Sequence, residues 1–422
     1  MKKILLMLGA ILFASAMIAG DVFAYNYINS TSFVRMPSRA ATISTVDAVF
    51  YNPAGLVKIP DGFYTELGNN FIVKNYSHKF LAGSYTDSTP VLFSMFGGFI
   101  YKSGKGSLFI VNYVPEGGGM SDYRNKFGIQ TLELLQGGVA SLTSPSYVHA
   151  YRFWVQIAMG GAYALSDSFA VTAGLTSNIY YYDQSFGYIG TGCVAKETTR
   201  ADGFGGWLGF LITPVKQVNF SIKYAPEVIA RGKITDKKMH YSQITEARLP
   251  AYLAIGLNVK PHEKVELQAS YQLSFTQQKA YGNSKQPAFD PATVLVTRAW
   301  EYEFGYAAQY VPTTGSNIVD YKGKLTHAAG VGVEVRVHEK ILVSCGVGYE
   351  NAWLHPRAQN PFDPKLASVV VGLGGRFKAT DKMDVDIGIL KNTYFEDKML
   401  FGLIKMKKNV WVFSIDLSTK WM

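Results

Sequence analysis

The feature that most constrains this chain is a period-two alternation that recurs along most of its length. From Val410 onward, Trp411, Phe413, Ile415, Leu417 and Trp421 fall on one face of an extended chain. Ser414, Asp416, Ser418 and Lys420 fall on the other. The same reading holds for Met383, Val385, Ile387 and Ile389 against Asp384, Asp386 and Gly388. It holds again for Val331, Val333, Val335 and Val337 against Gly332, Glu334 and Arg336, and for Val218, Phe220, Ile222 and Tyr224 against Asn219, Ser221 and Lys223. One such strand could bury its apolar face in a soluble core. So many charges on the second face exclude a dry interior, because an unpaired buried charge is very costly. The pattern suits a wall with lipid outside and a polar or plugged lumen inside. Lipid also forbids open sheet edges, so the sheet must close on itself. The expected fold is all-β: a transmembrane antiparallel β-barrel.

The connections give the strand count. Short turns fall at Ser103–Gly106, Leu165–Asp167, Pro214–Gln217, Pro261–Lys264, Val337–Lys340 and Ala379–Lys382, with longer irregular segments between them. Short periplasmic turns and long outer loops are the usual asymmetry of membrane barrels. The spacing predicts about 14 strands, near 62–75, 90–102, 107–114, 150–164, 168–181, 204–213, 217–226, 249–260, 264–275, 326–337, 341–352, 366–378, 383–394 and 409–422.

The N-terminus sets the compartment. Lys2 and Lys3 precede an apolar stretch from Ile4 to Ile18, and Val22-Phe23-Ala24 supplies small residues for cleavage. Residues 1–24 therefore read as a signal peptide, and 25–60 and 61–422 divide into an N-terminal segment and the barrel. After Ala24 no apolar run is long enough for a membrane-spanning helix. Charged residues make up 17% of the chain, sparse for a soluble protein of this size. The net charge of +10 falls to +9 once Lys2, Lys3 and Asp21 leave. That surplus suits membrane lipid and an anionic outer-leaflet glycolipid, whereas an exported barrel meets no nucleic acid. Cys193 reads as a loop residue and Cys345 as a lipid-facing strand residue, which argues against a bridge between them. No cysteine–histidine cluster has metal spacing, and no GxSxG elbow accompanies the seven histidines. The expectation is no catalytic residue, no metal and no cofactor.

The segment 25–60 does not alternate. It holds Phe33, Met36 and Arg39, then Asp47-Ala48, then Asn52-Pro53-Ala54-Gly55-Leu56 directly before the first strand. This stretch, in this position, resembles the hatch motif of the FadL/TodX family of outer-membrane transporters for hydrophobic compounds. Thr89-Pro90-Val91, Gly203 to Trp207, Tyr224 to Val228, Leu249-Pro250 and Pro361 to Pro364 follow in the family's order, with 120–148 and 276–325 unmatched.

The resemblance implies a multi-pass monomer in the bacterial outer membrane with an N-terminal hatch inside the lumen. It implies that long-chain fatty acids or hydrocarbons bind in the barrel and leave sideways into the bilayer. Asp47, Asn52, Pro53, Ala54 and Gly55 would form the hatch motif, with Asp47 and Asn52 capping a turn or helix. Pro115, Gly117, Gly118 and Gly119 occupy the place of the family's kinked strand. Phe33, Met36, Arg39, Arg200 and Arg298 are candidates for ligand contact, with Lys285 a further basic residue near the loops. Tyr180-Tyr181-Tyr182 read as an interfacial girdle. Two rival readings are a diffusion porin for polar solutes and a surface or adhesive barrel.

Overall fold

In the computed structural model, the described residues are 30–43, 45–80, 83–115, 118–123, 146–188, 192–236, 241–276, 284–287, 318–321, 324–352, 366–395, 397–399 and 404–421. The signal-peptide reading and Arg298 lie outside them. The N-terminal segment contributes α1 (Thr31–Arg35), α2 (Ala48–Tyr51) and a 3-10 helix η1 (Pro53–Lys58).

The strands are β1 (Gly62–Phe80), β2 (Gly83–Asp87), β3 (Met95–Ser103), β4 (Gly106–Tyr113), β5 (Gly118–Tyr123), β6 (Ser146–Ser166), β7 (Phe169–Tyr188) and β8 (Gly192–Val215). Next come β9 (Val218–Ala225), β10 (Val228–Asp236), β11 (Tyr241–Leu249), β12 (Tyr252–His262), β13 (Val265–Ser274), β14 (Ser284–Pro287) and β15 (Ile318–Tyr321). The last are β16 (Thr326–His338), β17 (Ile341–Glu350), β18 (Ser368–Thr380), β19 (Met383–Tyr394), β20 (Asp397–Met399) and β21 (Ile404–Lys420).

Adjacent strands pair antiparallel from β1 through β3, β4 and β6 round to β19, and β21 closes the ring. It pairs with β1 from Tyr64↔Lys420 to Phe80↔Ile404. With β5 as the continuation of β4, β10 of β9 and β12 of β11, the ring has 14 strands. All six short turns lie where the sequence places them, and Gly104 in the first has φ +54°, the left-handed region that a side chain resists. The apolar set faces outward: Leu67, Phe71, Leu175, Phe204, Val331, Leu373, Ile387, Trp411 and Ile415 are all exposed. So much exposed apolar surface would be prohibitive in water, so this belt meets lipid. Asn70, Asn112, Gln156, Asn178, Asn258, Gln268 and Asn392 face inward and are buried.

Burial of those polar residues has a cause: residues 30–43 and 45–59 lie inside the ring. Helix α1 packs against β17, β18, β19, β21 and β1 on one side, and η1 packs against β4, β6, β7 and β8 on the other. Wall glycines make room for it. A Cβ on Gly256 would stand 2.4 Å from the Ala41 nitrogen, and one on Gly332 would stand 2.1 Å from Met36 Cγ. Lys58 Nζ donates to Asp167 O (2.8 Å), which ties η1 to a short turn and so to that end of the barrel.

Several strands run beyond their predicted bounds. β8 begins at Gly192 rather than near 204, and β10 and β11 extend the next pair outward. The second strand is shorter than predicted. It starts at Met95, and residues 88–94 form no ladder with β1: they meet it through one β-bridge, Ile72↔Val91, and through hydrogen bonds of Asn69 and Asn70 with Leu92 and Ser94.

Candidate functional site

The N-terminal segment is held by a buried ionic network. Arg39 Nη2 lies 2.6 Å from Asp47 Oδ2, and its Nη1 lies 3.1 Å from Glu334 Oε1 on β16. Arg35 also pairs with Glu334, and its Nε lies 3.0 Å from Asp386 Oδ1 on β19. Arg376 on β18 reaches the other Asp386 oxygen at 2.7 Å. Burial alone would raise the Asp47 carboxyl, but the Arg39 guanidinium outweighs it and holds it below the ordinary carboxylate range. A depressed pKa stabilises the folded arrangement above the unfolded value and loses that contribution as pH falls. The segment is therefore expected to stay docked down to about pH 4 and to loosen only below it. Conductance of single barrels in a planar bilayer, recorded against pH, checks this; opening already at pH 6 would contradict it.

The Asn52–Gly55 turn has a local explanation. Pro53 opens the 3-10 helix at its first position, where a missing N–H costs nothing. Asn52 Nδ2 donates to Thr42 O (3.0 Å), and a Cβ on Gly55 would stand 2.5 Å from that same carbonyl. Asparagine thus staples two turns of the segment together, and glycine lets them approach. The capping expectation for Asp47 and Asn52 does not hold. Neither Asp47 nor Asn52 makes a side-chain cap; Asp47 is engaged by Arg39 and Asn52 by Thr42. Ala54 is buried beside Ile43 and Leu211.

Above this segment a small cavity of about 50 Å³ lies between α2 and the wall. Phe50 and Tyr51 form its floor; Tyr113, Pro115, Trp207 and Tyr252 are among its walls. One cation enters it. Lys223 on β9 is buried, donates to Phe50 O (3.2 Å), and stands 5.3 Å from the Trp207 ring centroid and 6.0 Å from that of Tyr252. Among the described residues no carboxylate lies within ion-pair distance of its Nζ. A lysine in so aromatic and dry a surround could take an anion as its partner.

The cavity reaches a break in the wall. The β3–β4 ladder ends at Gly97↔Asn112, and β4 leaves β6 at Tyr113↔Gln156. Pairing resumes at Gly118↔Phe153, so five steps on one strand oppose three on the other. Pro115 lies in this bulge and has no N–H to give. Among the described residues no ladder joins 88–94 to 114–123, and Leu92 and Phe93 are exposed at the gap. Gly118 and Gly119 sit at the start of β5; Gly117 lies outside the described residues.

The ligand-contact candidates fare differently. Phe33 stacks on Tyr51 (5.9 Å) and Met36 packs on Gly332, so both belong to the core of the inner segment and neither lines the cavity. Arg39 is consumed by Asp47 and Glu334. Arg200 is on the outer face of β8, away from the lumen. Lys285 is on β14, with its side chain outside the described atoms, and nothing places it at the cavity. The tyrosine run divides: Tyr181 faces out, while Tyr180 faces in and packs on Trp154 (5.3 Å). Cys345 is exposed and free on the lipid face. Lys223, Trp207 and Tyr252 were not singled out by sequence; their only signal was Lys223's place on the inward face of its strand.

No protein-family model and no curated protein sequence matches the chain. Solved structures do match it. A FadL homologue of Pseudomonas aeruginosa shares 13% identity at a TM-score of 0.68, covering 96% of this chain and 100% of that one. The Pseudomonas putida toluene transporter TodX gives 13% and 0.66 over 96% and 100%. The Ralstonia pickettii toluene transporter TbuX gives 12% and 0.61 over 95% and 100%. In architecture, across nearly its whole length, this chain has the fold of the FadL homologue and of the toluene transporters TodX and TbuX.

Proposed function

We propose that this protein is an outer-membrane transporter that passes hydrophobic molecules inward through a plugged, laterally opening barrel. The observation that carries the proposal is the continuity of three features. The inner segment floors an aromatic cavity, the cavity ends at Pro115, and at Pro115 the wall's hydrogen-bond ladder is interrupted. Residues 30–59 act as the hatch. A molecule caught by the outer loops enters above the hatch and leaves through the gap between residues 88–94 and 114–115 into the bilayer, without crossing water. A cavity of about 50 Å³ is well below the several hundred typical of an occupied ligand site. Loading therefore requires the hatch or the Pro115 segment to move.

Lys223 defines the substrate further. A long-chain fatty acid would place its carboxylate on Lys223 Nζ and its chain among Trp207, Tyr113 and Pro115. A charge-assisted contact of this kind contributes about 1.5–3 kcal/mol, or roughly ten- to a hundredfold in affinity. Lys223→Met should therefore lower fatty-acid binding by that factor and leave toluene binding unchanged, as measured by calorimetric titration of the barrel in detergent. Equal affinity of variant and wild type for the acid would remove Lys223 from the site. It would leave a carrier of neutral hydrocarbons, the compounds named for TodX and TbuX.

A diffusion porin is the weaker reading, because the inner segment packs against strands on both sides of the lumen.

A further inference from the structure

We propose that the outer rim of β7, β8 and β10 is a binding site for a phosphorylated glycolipid of the outer leaflet, clamped between Arg200 and Lys233. The inference rests on the lipid-facing surface and is independent of what the lumen carries.

The outward positions of β8 fix the depth. Leu208 and Phe204 are 59% and 80% exposed and belong to the apolar belt; Asp202 and Arg200 follow at the end remote from the short turn at Lys216-Gln217. Under the usual orientation, with short turns periplasmic, Arg200 stands where the outer leaflet's hydrocarbon gives way to headgroups.

The register aligns a row across four strands at that level. Tyr181 on β7 faces Arg200, Arg200 faces Lys233 on β10, and Lys233 faces Ile244 on β11. The guanidinium of Arg200 lies 5.6 Å from the Tyr181 ring centroid, and Tyr181 in turn stacks on Phe153 at 5.2 Å.

Two like charges directly opposite on neighbouring strands repel each other, and such pairs destabilise a sheet. Nearby carboxylates do not relieve this pair. Among the described residues none lies within ion-pair distance of Arg200 or Lys233. Glu246 is taken by Arg231 (3.0 Å) and Arg248 (2.5 Å), and Glu227 lies near Arg248 (3.4 Å). Asp183 accepts from Thr198 Oγ1 (3.0 Å) and Tyr181 Oη (3.4 Å). Asp202, the next outward position on β8, makes no ion pair with either cation.

An anion between Arg200 and Lys233 resolves the repulsion. A phosphate suits the guanidinium's paired donors and the ammonium's point charge. The surface directly beneath, with Phe204, Ile179 and Leu175 all exposed, takes acyl chains. Phosphate above and chains below are the two halves of one lipid.

The test titrates the intact barrel, in mild detergent, with bisphosphorylated lipid A and with the same lipid after enzymatic dephosphorylation. Wild type should bind the phosphorylated form about tenfold or more tightly, given two cations at the headgroup level. Arg200→Gln/Lys233→Gln should abolish that preference while retaining the heat-modifiable mobility of a folded barrel. Lys216→Gln/Lys340→Gln, the same charge change at the opposite rim, should leave it intact. Equal wild-type affinity for the two lipids would overturn the proposal, as would equal losses in the two double variants. Phosphatidylglycerol bound as tightly, and with the same dependence on Arg200 and Lys233, would assign the clamp to a phospholipid instead and also overturn it.

Discussion

Glu334→Ala is expected to leave the barrel assembled and to open it to ions. Glu334 is the carboxylate shared by Arg35 and Arg39, the two buried cations that the inner segment presents to the wall. All three are buried. A buried ion pair adds little net stability, because desolvation offsets most of the attraction. Removing one partner is different: it strands a charge in a dry site, at about 3–5 kcal/mol. Here one deletion strands part of two. Arg35 keeps Asp386 and Arg39 keeps Asp47, so the segment loses its ionic hold on β16, keeping there the hydrogen bond from Ser38 Oγ to Gly330 O (3.1 Å), while it still holds β19 and its own turn. The wall ladder of β16 with β13 and β17 is backbone-made and survives the change. Folded variant barrels in planar bilayers should show steady or frequently opening conductance where wild type is closed. Trypsin should then cut after Arg35 or Arg39 in the variant alone. A closed, protease-resistant variant would mean that the segment is held by apolar packing rather than by this network.

A covalent bond across the wall gap is expected to stop uptake completely and reversibly. If the β3–β4 ladder continued past Gly97↔Asn112, Met95 would face Val114. Cysteines at these two positions, in a background with Cys193 and Cys345 replaced by serine, would bind the two lips together. The oxidised protein should bind hydrophobic ligand and fail to release it to the membrane; reduction should restore transport. The same protein, oxidised and reduced, supplies its own control for folding. Undiminished uptake by the oxidised form would show that molecules leave by another route, and the bulge at Pro115 would then be an ordinary strand irregularity.

The sequence made the closed sheet legible because lipid and lumen impose opposite demands on alternate residues. It made the six short turns legible because they interrupt that alternation with Gly, Asp, Lys and Pro. The rule fails where lipid stops. Residues 192–203 continue β8, yet Lys196-Glu197-Thr198-Thr199-Arg200-Ala201-Asp202 show no apolar face, since their outward side meets headgroups and water. β10 and β11, beyond the strand breaks at Pro226 and Pro250, reverse the pattern instead: Val228, Ala230, Ala247 and Leu249 are apolar and buried on the inner side, while Arg231 and Lys233 are exposed.

The N-terminal segment stood out in the sequence because it does not alternate, but its fastening was not legible. Arg35 meets a carboxylate 299 residues away, a pairing that no local pattern encodes. Asp47 looked like a helix cap from its neighbours and is an ion partner because Arg39 turns back upon it. Lys223 was visible as an inward-facing cation. That it stands alone among aromatic rings depends on β8 and β12 bringing Trp207 and Tyr252 to its sides.

The most direct test of the central claim reconstitutes the barrel in liposomes and measures entry of labelled toluene and labelled oleate beside a labelled polar sugar. The expected result is protein-dependent acceleration for a hydrophobic probe, none for the sugar, and no steady ion current. Entry of the sugar with ionic conductance, and no acceleration of either hydrophobic probe, would make the lumen an aqueous channel and contradict a hatch-closed route through the wall.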